Sequence, residues 1–287
     1  MTIKTILVPI RGDGKGENVL NMTVLLAKKS GAHLRVVHSR PKPEDMLPFG
    51  VLLTAGMKKT ILESASVGSS DEEDRIRALF DKYCSDHELP IVDHPPAPEG
   101  AVTTSWHEVT GKQAHIVAVQ GRLTDMVAVA QPDPDTQIGT NTLEAALLET
   151  GKLVMMVPET VSETVGDSIA IAWNGSAESA RAVTMAMSIL LTAKNVTVLS
   201  AGGSDAIEFS ADELVEQLAW HGIKAGANTF KAHGSGIGDA LVAAAKGAGS
   251  DLLLMGGYGH SRRRELIMGG VTKNIIDTAD IPVLLAH

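Results

Sequence analysis

The sequence predicts an α/β fold: two tandem domains, each a five-stranded parallel sheet with helices on both faces. Three observations point there. The chain has 287 residues, about twice the usual length of a single domain. Short, unbroken apolar runs alternate with Ala-rich amphipathic stretches, which is how strands buried on both faces and their crossover helices are written. The same order of segments then occurs twice along the chain, the strongest organisational signal it carries.

Taken in order, residues 3–10 (IKTILVPI) read as a first strand and Arg11-Gly12-Asp13-Gly14 as an ordinary strand-to-helix turn. Residues 18–30 (NVLNMTVLLAKKS) read as a helix and 32–37 as a second strand. Residues 41–70 depart from the repeat: the apolar run 47–53 lies between polar flanks, and a lid, a partner surface and a dimer contact all remain open for it. A helix ends near Cys84. Residues 125–129 and 152–158 read as two further buried strands, and the polar stretch 158–167 (PETVSETVGD) as the linker. The domains are therefore placed at 1–158 and 166–287.

The second half restarts at 168–173 (SIAIAW), followed by Asn174-Gly175-Ser176, with Ser176 as the N-cap of a helix over 178–193. A strand follows at 196–199. A glycine-rich turn, 234–238, precedes Asp239, which begins or caps the next helix. Residues 251–255 and 281–287 match the last two strands of the first half, with a helix over 271–278 between them. The last strands of the two halves, 154–157 and 283–286, are expected to meet edge to edge, which removes two open sheet edges.

Composition narrows the function classes. Hydrophobic residues make up 44% of the chain and aromatics 3%, so the core is built from Ala, Val, Leu, Ile and Met. Mean hydropathy is +0.09. Twenty-five basic against 34 acidic residues leave a net charge of −9, which repels phosphate backbones and argues against a nucleic-acid partner. A single cysteine, Cys84, excludes an intramolecular disulfide framework and a multi-cysteine metal site. No apolar run reaches the roughly 18 residues of a membrane span, and the start lacks a signal-peptide layout; a cytoplasmic location without membrane attachment is expected. The ten histidines form no H-x-x-x-H or H-E-x-x-H pair, so no metal ligands are assigned. No G-x-S-x-G elbow is present, and no catalytic residues are assigned.

In sheets of this kind a ligand lies beyond the carboxyl ends of the strands, where strand order reverses. There the second half reads Gly256-Gly257-Tyr258-Gly259, then HSRRRELIM over 260–268, then Gly269-Gly270-Val271-Thr272. Glycines at a strand end let a ligand approach the backbone. The second glycine pair stands where a helix begins, with unpaired N–H groups and the positive end of the helix dipole, an anion cradle. Gly270 is followed by Val271 rather than the Lys of a Walker A loop, and no G-x-G-x-x-G follows either first strand. The spacing is instead G-x2-G-x9-G, on Gly256, Gly259 and Gly269.

With that motif, its flanking strands and the repeat, the chain resembles a tandem universal stress protein. The resemblance implies an adenine nucleotide alpha hydrolase-like fold. It also implies ATP or another adenine nucleotide lying along the motif of the second domain, with Mg2+ entering only with the nucleotide. Carried over, the backbone of Gly256, Gly259, Gly269, Gly270 and Val271 holds phosphates, and Asn174 faces the nucleoside. The strand ends at Ala172 and Met255 complete the site. His260 is a phosphate contact to test, and Thr272 a substitute hydroxyl donor. This chain departs from the family at Gly270, which replaces a Ser/Thr, and at Asn174, which replaces an Asp. Arg262, Arg263 and Arg264 form either a lid over a polyphosphate or a solvated loop.

The first half departs further. Ala130 and Asp133 stand at the first two glycine positions, Pro132 and Pro134 remove N–H donors, and Arg11 replaces the carboxylate after the first strand. That half is expected to be structural. The leading reading is a cytosolic stress-response protein that binds an adenine nucleotide in its second domain. One alternative is a nucleotide-independent interaction protein acting through its surface and assembly, and another is a slow ATPase. The partners expected are the nucleotide and a protein that the sequence does not name, with the domains pairing within one chain and a homodimer also open.

Overall fold

The computed structural model describes residues 2–40, 42, 55–202, 209–232, 236–257 and 270–287. In the first half the elements are β1 (Thr5–Ile10), α1 (Gly16–Ala27), β2 (His33–Arg40), α2 (Ala55–Asp86), β3 (Thr103–Thr110), α3 (Gln113–Gln120), β4 (Met126–Ala130), α4 (Thr140–Glu149) and β5 (Leu153–Val157). In the second half they are β6 (Ser168–Ala172), α5 (Ala177–Leu190), β7 (Asn195–Ala201), α6 (Ala211–Ala219), β8 (Ala225–Phe230), α7 (Gly236–Gly247), β9 (Leu252–Gly256), α8 (Gly270–Thr278) and β10 (Val283–Ala286).

The strands form one ten-stranded sheet in the order β3-β2-β1-β4-β5-β10-β9-β6-β7-β8. Each half is parallel throughout, and the halves join where β10 runs antiparallel to β5, with Leu284 opposite Met155. The two five-stranded sheets are thus one continuous layer with a local two-fold relation at the joint, and neither β5 nor β10 is left as an open edge.

Side chains on each strand alternate between two cores. Ile6, Val8, Ile169, Ile171, Leu252 and Leu254 face the layer of α1, α2, α5 and α6. Leu7, Val127, Val129, Leu253, Met255 and Leu285 face that of α3, α4, α7 and α8. With helices on both sides, both strand faces must be apolar, which is why these strands read as unbroken runs.

The outermost strands are different. β8 (AGANTF) has an exposed middle, and β3 (TTSWHEVT) is buried only at its first three residues, all polar. Neither carries a long apolar run, so periodicity alone does not reveal them. α1 begins at Gly16 and ends at Ala27, somewhat ahead of the predicted 18–30.

At the amino ends of the strands, opposite the candidate site, the repeat shows a matched pair of anchors. Asp125 Oδ2 accepts the backbone N–H groups of Lys4 and Thr5. Asp251 in the second half accepts those of Gly166, Asp167 and Ser168. Each carboxylate clamps the start of one first strand to the strand beside it. Among the described residues no helix is long and apolar enough to cross a membrane.

Candidate nucleotide cradle of the second domain

β6 lies beside β9, and the chain leaves the two strands toward opposite faces, into α5 and α8, which opens a crevice between their carboxyl ends. Ala172 ends β6, and Trp173 follows it, its Nε1 donating to the Phe209 carbonyl at 2.8 Å. The exposed Asn174 follows. Its Oδ1 accepts the Ser176 N–H at 3.1 Å, an Asx turn, so the carboxamide NH2 is the group Asn174 has to offer. Ser176 caps α5, its hydroxyl accepting the Ser179 N–H at 3.2 Å.

Gly256 closes β9 for a packing reason. A Cβ there would lie 2.6 Å from the Glu178 carbonyl carbon and 2.7 Å from the Ser179 nitrogen, so the first turn of α5 occupies the place a side chain needs. Gly257 is less confined: its Cβ position is 3.1 Å from the Leu147 Cδ2 methyl. Gly270 starts α8 and is exposed, and among the described residues no atom lies within 4 Å of where its Cβ would stand.

The first backbone N–H groups of α8 have no partners within the helix itself, and Gly270 presents them at the crevice without a side chain. Ile275 and Ile276, both in the core, hold the helix down. Val271 is half-buried and Thr272 is buried, 6% exposed. α7 crosses α8 closely, because a Cβ on Gly238 would lie 2.1 Å from Asn274 Oδ1. Asp239 sits in the first turn of α7, and its carboxylate also accepts the Thr278 hydroxyl of α8 at 3.3 Å.

Of the residues read as site members, Ala172, Asn174, Met255, Gly256, Gly270, Val271 and Thr272 lie on the ends of β6 and β9 and the start of α8. Gly259, His260 and Gly269, with Arg262, Arg263 and Arg264, lie outside the described residues, as do residues 43–54 and 233–235. Among the described residues no group of three or more His, Cys, Asp or Glu side chains is placed to hold a metal ion. Cys84 is buried at the end of α2, where burial pushes its thiol up to about 11, so it is a poor thiolate at neutral pH.

Between the ends of β1 and β4 the equivalent crevice of the first domain is nearly closed. Arg11 stands where Asn174 stands in the repeat. It pairs with Asp13 at 2.8 Å and reaches the start of α4, where a Cβ on Gly139 would lie 2.9 Å from its Nη2. The space left among Arg11, Gln113, Ala130 and Thr142 is about 10 Å³, roughly the volume one water probe needs. The connection from β4 to α4 is also four residues shorter than that from β9 to α8.

Sequence reasoning missed one residue of this region. Gln131, directly after β4, is 8% exposed and donates across the joint to the carbonyls of Ile276 at 2.7 Å and Ala279 at 3.1 Å. The altered loop of the first domain therefore grips the carboxyl end of the helix whose amino end is the cradle. Its signal in the sequence was only a polar residue at the position matching Gly257.

Residues 167–287 match the sequence model of the universal stress protein family. Among curated proteins none matches the chain. Among solved structures, a universal stress protein from Archaeoglobus fulgidus DSM 4304 is 12% identical with a TM-score of 0.72, covering 98% of this chain and 97% of its own. A functionally unknown protein from Pseudomonas aeruginosa PAO1 is 18% identical with a TM-score of 0.55, covering 99% and 92%. At these identities the likeness speaks for the fold, and it extends over both halves.

Proposed function

We propose that this is a cytoplasmic stress-response protein whose second domain, matching the universal stress protein family over residues 167–287, binds an adenine nucleotide while its first domain is structural. The observation that carries the reading is the contrast between two equivalent crevices. Between the ends of β1 and β4 Arg11 leaves about 10 Å³, whereas in the second domain the α8 start at Gly270 is exposed, with no described atom within 4 Å of its Cβ position.

The residues present suit a nucleotide's phosphates. The N–H groups of Gly270 and Val271 and the dipole of α8 favour negative charge. Asn174 offers its carboxamide NH2 to the nucleoside, and the ends of β6 and β9 at Ala172 and Met255 form the floor. Gly256 serves by letting α5 close against the strand end. Gly259, His260 and Gly269 join the site by the family resemblance. Thr272 is buried and is the weaker substitute for the missing hydroxyl at Gly270. The proposed role is binding rather than turnover, with Mg2+ arriving as the nucleotide's own counter-ion.

The test is to denature the purified protein, identify released small molecules by mass spectrometry, and titrate emptied protein with Mg-ATP. Near-stoichiometric ATP, ADP or AMP, or saturable binding, supports the reading. In Gly270→Glu the new Cβ meets no described atom within 4 Å, so the fold stays intact while affinity falls at least ten-fold, each factor of ten being about 1.4 kcal/mol. A wild-type protein that carries no nucleotide and does not bind Mg-ATP would refute the proposal.

A further inference from the structure

The helix that opens the cradle is held at its far end by the other domain. With nine residues, α8 is shorter than the roughly 12–15 at which a helix begins to persist by itself in water. Its position therefore depends on what packs against it and on what satisfies its ends. The last turn contains no basic residue, and carbonyls at a helix end have no partner within the helix. Those of Ile276 and Ala279 are instead paired with Nε2 of Gln131, at 2.7 and 3.1 Å. Gln131 is itself pinned: its backbone N–H donates to the Val157 carbonyl at 2.7 Å, and the residue is buried, 8% exposed.

This contact is one-sided across the local two-fold relation. The residue matching Gln131 in the second domain is Gly257, whose N–H donates to the Ala286 carbonyl at 2.7 Å in the same way. Gly257 lies against Leu147 in the last turn of α4, but it has no side chain with which to return the cap. The first domain thus caps the last helix of the second and receives no matching cap from Gly257.

Resting on the nucleotide reading of the cradle, we infer that the first domain sets the nucleotide affinity of the second through Gln131, a positioning residue that does not touch the ligand. The Gln131 donor satisfies the negative end of the α8 dipole, and a phosphate satisfies the positive end. The two ends are about 13 Å apart along nine residues. Both partners favour the same packed position of one short helix, so each binds better when the other is present. With Gln131 in place α8 is ordered before the nucleotide arrives; without it, binding has to supply that ordering.

The test measures Mg-ATP affinity by titration calorimetry for the full chain and its variants, with circular dichroism showing that each is folded at the assay temperature. Gln131→Leu removes the donor, and Gln131→Asn keeps an amide that falls one methylene short of the two carbonyls. Both are expected to weaken Mg-ATP about five-fold, the lower end of ordinary coupling between sites. Asp125→Ala loosens the anchor at the amino end of β1; it is expected to lower the urea midpoint and leave affinity unchanged. Amide exchange over residues 273–278 should quicken in Gln131→Leu and slow again on adding Mg-ATP. Wild-type affinity in both Gln131 variants overturns the inference. So does an equal loss of affinity in Asp125→Ala, which would make the effect one of general stability. A wild-type chain that does not bind Mg-ATP refutes the nucleotide reading itself, and the inference with it.

Discussion

Replacing Gly256 by alanine tests whether this glycine exists for packing. The added Cβ would sit 2.6 and 2.7 Å from backbone atoms of Glu178 and Ser179, distances that real Cβ contacts do not reach. Those atoms belong to a helix first turn pinned by the Ser176 cap, so α5 must shift as a body. Overpacking of this kind costs about 1–3 kcal/mol. Losing a glycine's freedom in the unfolded chain returns about 0.4–1 kcal/mol, which leaves a net destabilisation of about 1.3 kcal/mol at the middle of both ranges. Two controls grade the effect. At Gly257 the new methyl meets only a Leu147 methyl at 3.1 Å, and at Gly270 no described atom within 4 Å, so both alanine variants should stay within about 0.5 kcal/mol of wild type. Urea unfolding followed by circular dichroism and tryptophan fluorescence, with amide exchange read at residues 177–180, measures all three. A Gly256→Ala protein as stable as wild type, or a Gly270→Ala protein equally damaged, would refute the packing argument.

Gln131→Leu is expected to cost about 1–3 kcal/mol, because the carbonyls of Ile276 and Ala279 lose their partner inside the joint; a thermal melt reads the loss. Lys194 and Lys29, hydrogen-bonded to Asp167, hold its carboxyl at about 2, below its usual 3.8. A depressed carboxyl stabilises the fold above its unfolded value, so that contribution should fade as pH drops from about 4 toward 2, and Asp167→Asn should flatten the urea-midpoint profile there. His33 and His107 share the Ser105 hydroxyl, at 2.9 Å each, and burial, then neighbouring positive groups including Arg35, lowers both imidazoles. Their neutral forms favour the folded state, so stability is full above about 6.5 and falls as pH drops through the lowered values. A His33→Gln/His107→Gln double variant should lose that slope in urea midpoints measured between pH 7 and 5.

Much of the fold was legible because burial on both strand faces leaves an unambiguous mark. Runs such as Leu252 to Met255 and Leu153 to Val157 have no polar alternation to confuse, and their recurrence in the same order marked two halves. β3 and β8 carried no such mark, since edge strands face solvent and tolerate Trp106, His107 and Glu108, or Gly226 and Asn228. The glycine spacing pointed to the strand ends of β6 and β9 and the start of α8, yet it did not separate its glycines: Gly256 is small because α5 leans on it, whereas the Cβ position of Gly270 meets no described atom.

The sequence by itself determined the α/β class, the duplication, the position of the crevice and the loss of glycines from its first-domain counterpart, since these are properties of local residue order. Only the tertiary structure decided that β5 and β10 join the halves into one sheet, that Arg11 reaches the start of α4, and that Gln131 reaches across to α8. Each of these depends on residues far apart in the chain meeting at hydrogen-bond or van der Waals distance. Spacing along a sequence carries no record of those distances until the layers have packed.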